Sequence, residues 1–288
     1  MGERTDLYMF GCGLGDQAAI EQMGTAFLKH IDEHGDPELG RIMITVGSGR
    51  TAFMPYRGDF NLHWVIGFSN TVNWLPIYLN EISVTPSLFL SPSKIIGEQI
   101  EDVGFENLYF PLACGDVFRP LGLPRHGLGF TGLDSKPPHQ RNAILGPMLG
   151  REDFEWRGRN LNEEEWNPTQ ISWLHLYQLN EWYNSKQAVF GMFFEESLEL
   201  GLVTGRVFET LGSGTPLICF RNPAIDEVIG SYSWQSETAE ETMKNIDYIL
   251  NHPKEINDHF LKWSHEIHRS HSYDVRIRTL IERLQEMK

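Results

Sequence analysis

Cysteine is scarce in this chain: three residues in 288, at positions 12, 114 and 219. An odd number at such wide spacing excludes a disulfide framework and points to a reducing compartment. No run of about 18 apolar residues is present, the length a membrane-spanning helix needs. The first residues also lack a basic stretch followed by an apolar one, so the expectation is a soluble, cytoplasmic protein without a membrane span. Positive charge is short as well. Against 39 Asp and Glu stand 24 Lys and Arg, a formal net charge of −15, and the acidic excess occurs in both halves. Sequence-independent affinity for nucleic acid comes from cations meeting phosphates, so this chain would hold a duplex only if its arginines gathered in one place.

Metal patterns are thin. No two Asp residues are separated by a single residue, which removes the Asp-x-Asp arrangement for a divalent cation. The run His265-Glu-Ile-His268-Arg-Ser-His271 puts His265 and His268 side by side on a helix but turns His271 to another face. A metal site is therefore not expected, and no cofactor is called for; His271 alone keeps a functional or packing role. The third glycine of a dinucleotide fingerprint is also missing. In MFGCGLGDQ, residues 9–17, the glycines fall at 11, 13 and 15, and Asp16 stands where the last is required. No ribose-binding acid closes the next strand, Arg41–Val46, so a dinucleotide oxidoreductase is disfavoured.

What is present is a folded composition, 41% hydrophobic with 8 Trp and 17 Phe, arranged as short β-rich runs alternating with helical ones. The first series reads strand Asp6–Phe10, helix Ala18–His30, strands Arg41–Val46, His63–Phe68 and Ser87–Leu90, helix Lys94–Val103 and strand Leu108–Phe110. A stretch dense in helix breakers follows, from Pro111 to Pro124. The second series reads strand Gly127–Thr131, helix Arg141–Leu149, strand Phe154–Arg157, helix Gln170–Tyr183, strand Val189–Phe194, helix Val203–Leu211, strand Thr215–Phe220, and helix from Thr238 onward. Two α/β lobes are expected, residues 1–122 and 123–271, with 272–288 packing back on the first.

The segment Thr204-Gly-Arg-Val-Phe-Glu-Thr-Leu-Gly-Ser-Gly-Thr-Pro216 carries the most chemistry. It places Thr204 and Arg206 in the first turn of a helix, where free N–H groups and the dipole favour an anion, with Glu209 one turn on. A guanidinium suits a diphosphate and a carboxylate suits the two hydroxyls of a ribose. A surface helix with an Arg–Glu pair at i,i+3 is the alternative. The glycines at 13 and 15 either bring backbone N–H groups close to a ligand or merely permit a tight turn.

R-V-F-E-T-L-G-S-G-T-P-L-I, from Arg206, resembles the R-x-F-E-A-x-A-x-G-T-x-L-L segment of GT-B glycosyltransferases, most closely the spore-maturation (CgeB-like) branch of the family-4-like superfamily. Four further stretches are similar in order: Phe130-Thr-Gly132 followed by Arg141; Trp182-Tyr-Asn-Ser-Lys186 ahead of Ala188–Met192; Tyr109–Ala113 with Asp116 and Phe118; and His271-Ser-Tyr-Asp-Val-Arg276. The resemblance covers residues 108–288 well and the first 107 in layout only. It implies an α/β GT-B fold, two Rossmann-like doubly wound lobes facing a central cleft with C-terminal helices packing back across them. It implies a metal-independent transferase moving a hexosyl or pentosyl group from a nucleotide-sugar donor, UDP- or GDP-linked, to a hydroxyl acceptor: a glycan, a small molecule or a modified DNA base.

The donor would be held by Gly13, Gly15, Arg141, Thr204, Gly205, Arg206 and Glu209. Asp16 and His63 are the candidates for catalysis and Asp59 a further loop carboxylate, although His63 reads first as a buried, hydrogen-bonded core residue. Where the related E-x7-E motif has its first Glu this chain has Gly201, leaving Glu195, Glu196 or backbone groups as substitutes. That departure supports a non-catalytic nucleotide-sugar-binding protein as one rival. A DNA-modifying enzyme is another, and it requires a basic stripe of Arg50, Arg57, Arg119 and Arg125. Trp173, Tyr177 and Trp182 have a spacing suited to packing.

Overall fold

A computed structural model describes residues 4–11, 14–47, 58–66, 87–134, 137–160 and 174–288, with the backbone alone for 14–16, 133–134 and 159–160. The chain forms two compact units. The first is Met1–Gly115 with Glu199–Val203 and Ser272–Lys288; the second is Asp116–Leu198 with Thr204–His271. No described helix is long and apolar enough to cross a membrane.

The first unit is built on a parallel sheet in the order β1 (Asp6–Phe10), β2 (Arg41–Gly47), β3 (Phe60–Val65), β4 (Leu88–Ser91), β5 (Asn107–Tyr109). β2 is buried from Ile42 to Gly47, the near-continuous apolar run that a strand covered on both faces requires. The two-residue period sorts the side chains. Ile44, Leu62, Trp64, Leu88 and Leu90 join the core beneath α1 (Leu14–His34) and α10 (Tyr273–Met287). Val65 and Phe89 lie on the other face with Ile96 and Ile100 of α2 (Lys94–Asp102), and with Leu202 from the 199–203 segment. α10 is fastened by the Tyr273 amide, which donates to the Cys114 carbonyl at 2.9 Å, and by the Lys29–Asp274 ion pair. Its N-terminus is capped by Ser272.

The second unit is a parallel sheet in the order β10 (Gln235–Ser236), β9 (Leu217–Phe220), β8 (Ala188–Gly191), β6 (Leu128–Asp134), β7 (Phe154–Asn160). The chain winds outward from β6 to β7, then returns to β8 and winds the other way. That reversal makes the adjacent carboxyl ends of β6 and β8 the switch point where ligands of such sheets bind. Around it lie α3 (Pro138–Ile144), a short 3-10 turn Gly146–Met148, α4 (Leu176–Asn184), α5 (Glu195–Glu199), α6 (Gly205–Gly212), α7 (Pro223–Ile229), α8 (Ala239–Asn251) and α9 (Pro253–Ser270).

Two buried asparagines of α4 hold the connecting segment against this unit. Asn184 Oδ1 accepts from the Leu121 amide at 2.7 Å, and its Nδ2 donates to the Arg119 carbonyl at 3.0 Å. Asn180 Oδ1 accepts from Ser213 Oγ at 2.7 Å and from the Arg119 amide at 3.2 Å. At the opposite end of the helix face, Glu155 of β7 accepts from Lys186 Nζ and Arg157 Nε at 2.5 Å each and from Trp182 Nε1 at 3.0 Å. Trp182 thus serves packing, Tyr177 is exposed, and Trp173 lies outside the described residues.

Sequence patterning and structure differ mainly at short elements. α1 begins at Leu14, four residues ahead of the expected start, so Gly15 lies in its first turn rather than in a loop. α5, α7 and β10 are too short for periodicity to show them. α7 is nonetheless locally encoded, because Asn222 caps it by accepting from the Ala224 amide at 3.1 Å and Pro223 fits its first position.

Asn184→Ala should cost about 2–4 kcal/mol, since it strands the Leu121 amide and the Arg119 carbonyl in a site that is 2% exposed. Chemical denaturation checks this, and an unchanged midpoint would contradict it. Burial alone would raise the Glu155 pKa, but hydrogen bonds from Lys186, Arg157 and Trp182 outweigh burial and the net direction is down. Its contribution is therefore complete above the ordinary carboxylate pKa and is lost as pH falls through the lower folded value. The stability gap between wild type and Glu155→Gln should narrow on acidification from pH 7 to 3; a gap that widens would count against this.

Candidate functional site

At the switch point, two glycines bring the strands and a helix unusually close. Gly132 of β6 pairs in register with Gly158 of β7, and a Cβ on Gly158 would stand 1.9 Å from the Gly132 carbonyl oxygen. Gly132 itself has φ +133, a conformation that favours glycine. A Cβ there would stand 2.6 Å from Nη2 of Arg206. The Arg206 guanidinium thus lies directly on the β6 backbone, with its Cζ 5.3 Å from the centroid of the Phe130 ring, a cation–π contact. Its Nε is buried without a hydrogen-bond partner.

Arg206 belongs to the first turn of α6, which opens at Thr204. The Thr204 backbone is extended and its side chain makes no capping hydrogen bond, while its carbonyl accepts from the Val207 amide at 3.1 Å. Arg206, Glu209 and Thr210 are spaced i, i+3 and i+4 and share one helix face. The Glu209 carboxylate reaches back over the turn, with Oε1 3.4 Å from the place of a Cβ on Gly205. Thr204, Gly205, Arg206 and Glu209 are all half-buried, which leaves a cation and a carboxylate partly accessible within one turn. Such a turn can take a ligand that is anionic at one end and rich in hydroxyls at the other.

Behind it lies Tyr183, fully buried at the end of α4. Burial first, and the nearby Glu209 charge second, push the phenol well above its ordinary pKa, so it stays protonated.

Arg141 occupies α3, the helix that follows the carboxyl end of β6, and is 5% exposed. Its neighbour Gln140 is fully buried; Gln140 Oε1 accepts from the Phe193 amide at 2.9 Å, while Nε2 has no partner. Gln140 therefore ties the loop after β6 to the loop after β8. The sequence offered no sign of it, because a lone Gln beside an Arg has no distinguishing pattern. Tyr183 was visible only as part of a motif.

The other candidates are dispersed. Gly13 lies outside the described residues, as do Arg50 and Arg57. Gly15 and Asp16 fall in the first turn of α1, beyond the carboxyl end of β1. His63 is 1% exposed inside β3. Burial lowers its pKa to about 3, opposed by a hydrogen bond with the Gly47 backbone. His63 is thus a neutral core histidine, too enclosed in this structure to meet an acceptor hydroxyl. Asp59 precedes β3 at its amino end and accepts from the Arg41 amide at 2.7 Å, away from the ligand end of a parallel sheet.

Arg125 is committed to the Gly214 carbonyl, which its Nη2 meets at 2.6 Å, so it is withdrawn from any basic stripe. Gly201 has φ +64 and follows α5; a Glu there would be strained, which accounts physically for the missing acid. Glu195 is exposed and Glu196 half-buried in the first turn of α5. His268 Nε2 lies 2.7 Å from the Phe118 carbonyl and His265 is exposed; no metal-binding group of three occurs among the described residues. A surface hollow of about 730 Å³ between the ends of α8 and α9, lined by Lys254, Lys262, Glu255 and Asp258 among others, presents no single sign of charge.

Comparison with known proteins bears on this geometry. The glycosyl transferase-like family matches residues 130–282, more than half of the chain, a match coarser than the spore-maturation branch. No curated protein matches the chain in sequence. Among solved structures, a sucrose-phosphate synthase from Thermosynechococcus elongatus is similar with a TM-score of 0.57 at 10% identity, covering 91% of this chain and 76% of that one. A T4 phage BGT mutant in complex with UDP-glucose is similar with a TM-score of 0.56 at 11% identity, covering 99% and 95%. A UDP-forming α,α-trehalose-phosphate synthase from Burkholderia vietnamiensis gives 0.51 at 8% identity, covering 93% and 77%. These likenesses are of fold.

The glycine pair can be tested by stability alone. Gly158→Ala forces a backbone clash and should cost more than about 3 kcal/mol, whereas Gly132→Ala, whose neighbour is the movable tip of Arg206, should cost about 1–2 kcal/mol. Equal costs, or a Gly158→Ala protein as stable as wild type in denaturant melts, would contradict the packing described.

Proposed function

We propose that this chain, which belongs to the glycosyl transferase-like family and is a glycosyltransferase of GT-B fold, transfers a hexose from a UDP-linked donor to a hydroxyl acceptor without a metal ion. The observation that carries the reading is the single turn of α6 that presents Arg206, Glu209 and a helix N-terminus without a side-chain cap at the switch point of the second unit. Glu209 accepts hydrogen bonds from the ribose hydroxyls. Arg206, the amides after Thr204 and the Thr204 hydroxyl take the diphosphate, and Arg141 adds positive potential at the same strand end. UDP is favoured over GDP as the first donor to test because two of the similar structures are named for it, one in complex with UDP-glucose and one UDP-forming.

In the reaction, the bond between the anomeric carbon and the diphosphate oxygen breaks, and the acceptor oxygen forms a new bond to that carbon while losing its proton. Negative charge accumulates on the departing diphosphate. A guanidinium and helix amides fixed in advance stabilise that charge without reorganising, which is the role a cation plays where carboxylates hold one. The sequence has no Asp-x-Asp pair for that purpose. Asp16, in the first turn of α1, is assigned to receive the acceptor proton, and Gly13 and Gly15 to let backbone N–H groups approach the donor closely.

Calorimetry with UDP and GDP tests the donor site. Arg206→Ala and Glu209→Ala should each weaken UDP binding by about 10–100-fold, the cost of one or two charge-assisted hydrogen bonds. No binding of either nucleotide, or equal binding by wild type and both variants, would overturn the reading. Asp16→Asn should lower kcat by about 100-fold or more with UDP affinity unchanged; full activity in that variant would remove Asp16 from the chemistry.

A further inference from the structure

The two ends of α6 are secured by different parts of the chain. At its C-terminal end the supports come from the second unit. Ser213 Oγ donates to Asn180 Oδ1 at 2.7 Å, Ser264 Oγ to the Gly212 carbonyl at 2.6 Å, and Thr215 Oγ1 to the Tyr183 carbonyl at 3.0 Å. At its start Thr204 supplies no side-chain cap, and the residues directly ahead of it, Glu199–Val203, belong to the first unit.

That short segment is bound into an apolar core. Leu202 is 8% exposed and shares one cluster with Val65 of β3, Phe89 of β4, and Ile96 and Ile100 of α2, with Leu200 packed against it. Gly201 between the two leucines has φ +64, a conformation in which a side chain is strained. The glycine that stands where the related motif has an acid is thus required by the turn that seats Leu200 and Leu202 together. Val203 is buried as well. Thr204 follows Leu202 by two residues, and two residues of chain span at most about 7 Å. The first turn of α6 therefore cannot shift far while Leu202 stays seated.

We propose that Leu202 is a positioning residue for the donor: seated in the core of the first unit, it sets where α6 starts and so where Thr204 and Arg206 meet the diphosphate. The proposal rests on the donor-site reading above and adds to it a side chain enclosed in a core, which acts through the chain that leads into α6. By linkage, whatever favours the seated form favours UDP, and UDP favours the seated form in return.

The test uses the full chain, with UDP binding measured by calorimetry, melting temperature, and amide hydrogen exchange. Leu202→Gln keeps the length and adds no charge near a diphosphate, but it sets a carboxamide against apolar side chains and so opposes seating. It should weaken UDP by about 10-fold or more, while Leu202→Met, which fills a similar volume, should stay within about twofold of wild type. Ile281→Ala truncates a buried side chain of α10 in the other core of the first unit. It should lower the melting temperature and leave UDP affinity within about twofold of wild type. In the wild-type protein, saturating UDP should slow exchange at the amides of residues 200–203; this measurement needs no variant to fold. Three results would each overturn the proposal alone: UDP affinity in Leu202→Gln equal to wild type, equal losses of affinity in Leu202→Gln and Ile281→Ala, or exchange at 200–203 that UDP leaves unchanged. A wild-type protein that binds no UDP, or binds it equally well without Arg206 and Glu209, would instead refute the donor site, and the proposal with it.

Discussion

The placement of one guanidinium on a bare strand backbone is the constraint around which the second unit is organised. Arg206 can lie on β6 only because residue 132 has no side chain, and β6 can lie beside β7 at that level only because residue 158 has none. The ring of Phe130 takes one face of the cation. Each of these features has a cost in isolation. An interior glycine weakens a strand, and a charge near the core must be compensated. Together they set a cation on the bare backbone of β6, beside the first turn of α6.

The strong negative charge of the chain takes on a specific meaning beside this arrangement. A net charge of −15 gives the surface no general attraction for polyanions. Phosphate recognition in such a chain calls for a few groups with defined geometry, and the proposed site on α6 offers an uncapped helix start, a hydroxyl and a guanidinium within one turn. Arg125, which might have extended a basic surface, instead closes the turn after α6 by donating to Gly214. Charge is spent locally and structurally, as suits a small activated donor better than a duplex.

How much of this was readable beforehand follows from the range of each interaction. The α/β alternation and most strand positions were legible because apolar runs and helix caps are local. So was the helix that starts after Thr204, since helix termini are written in consecutive residues. Gly201 was legible as a departure from a pattern but not as a backbone requirement, because its φ of +64 depends on where α5 stops. Gly158 could not be read as the partner of Gly132. It meets Gly132 from 20 or more positions away, through a strand pairing that only the folded sheet defines. His63 shows the reverse case. Its sequence setting allowed both a base and a core residue, and complete burial within β3 decides for the second.

The most direct test is a crystal structure of the chain with UDP bound. The expected result has the ribose hydroxyls on the Glu209 carboxylate and the diphosphate across Arg206 and the first amides of α6, at the carboxyl ends of β6 and β8. UDP bound elsewhere, with Arg206 and Glu209 making no contact to it, would contradict the account.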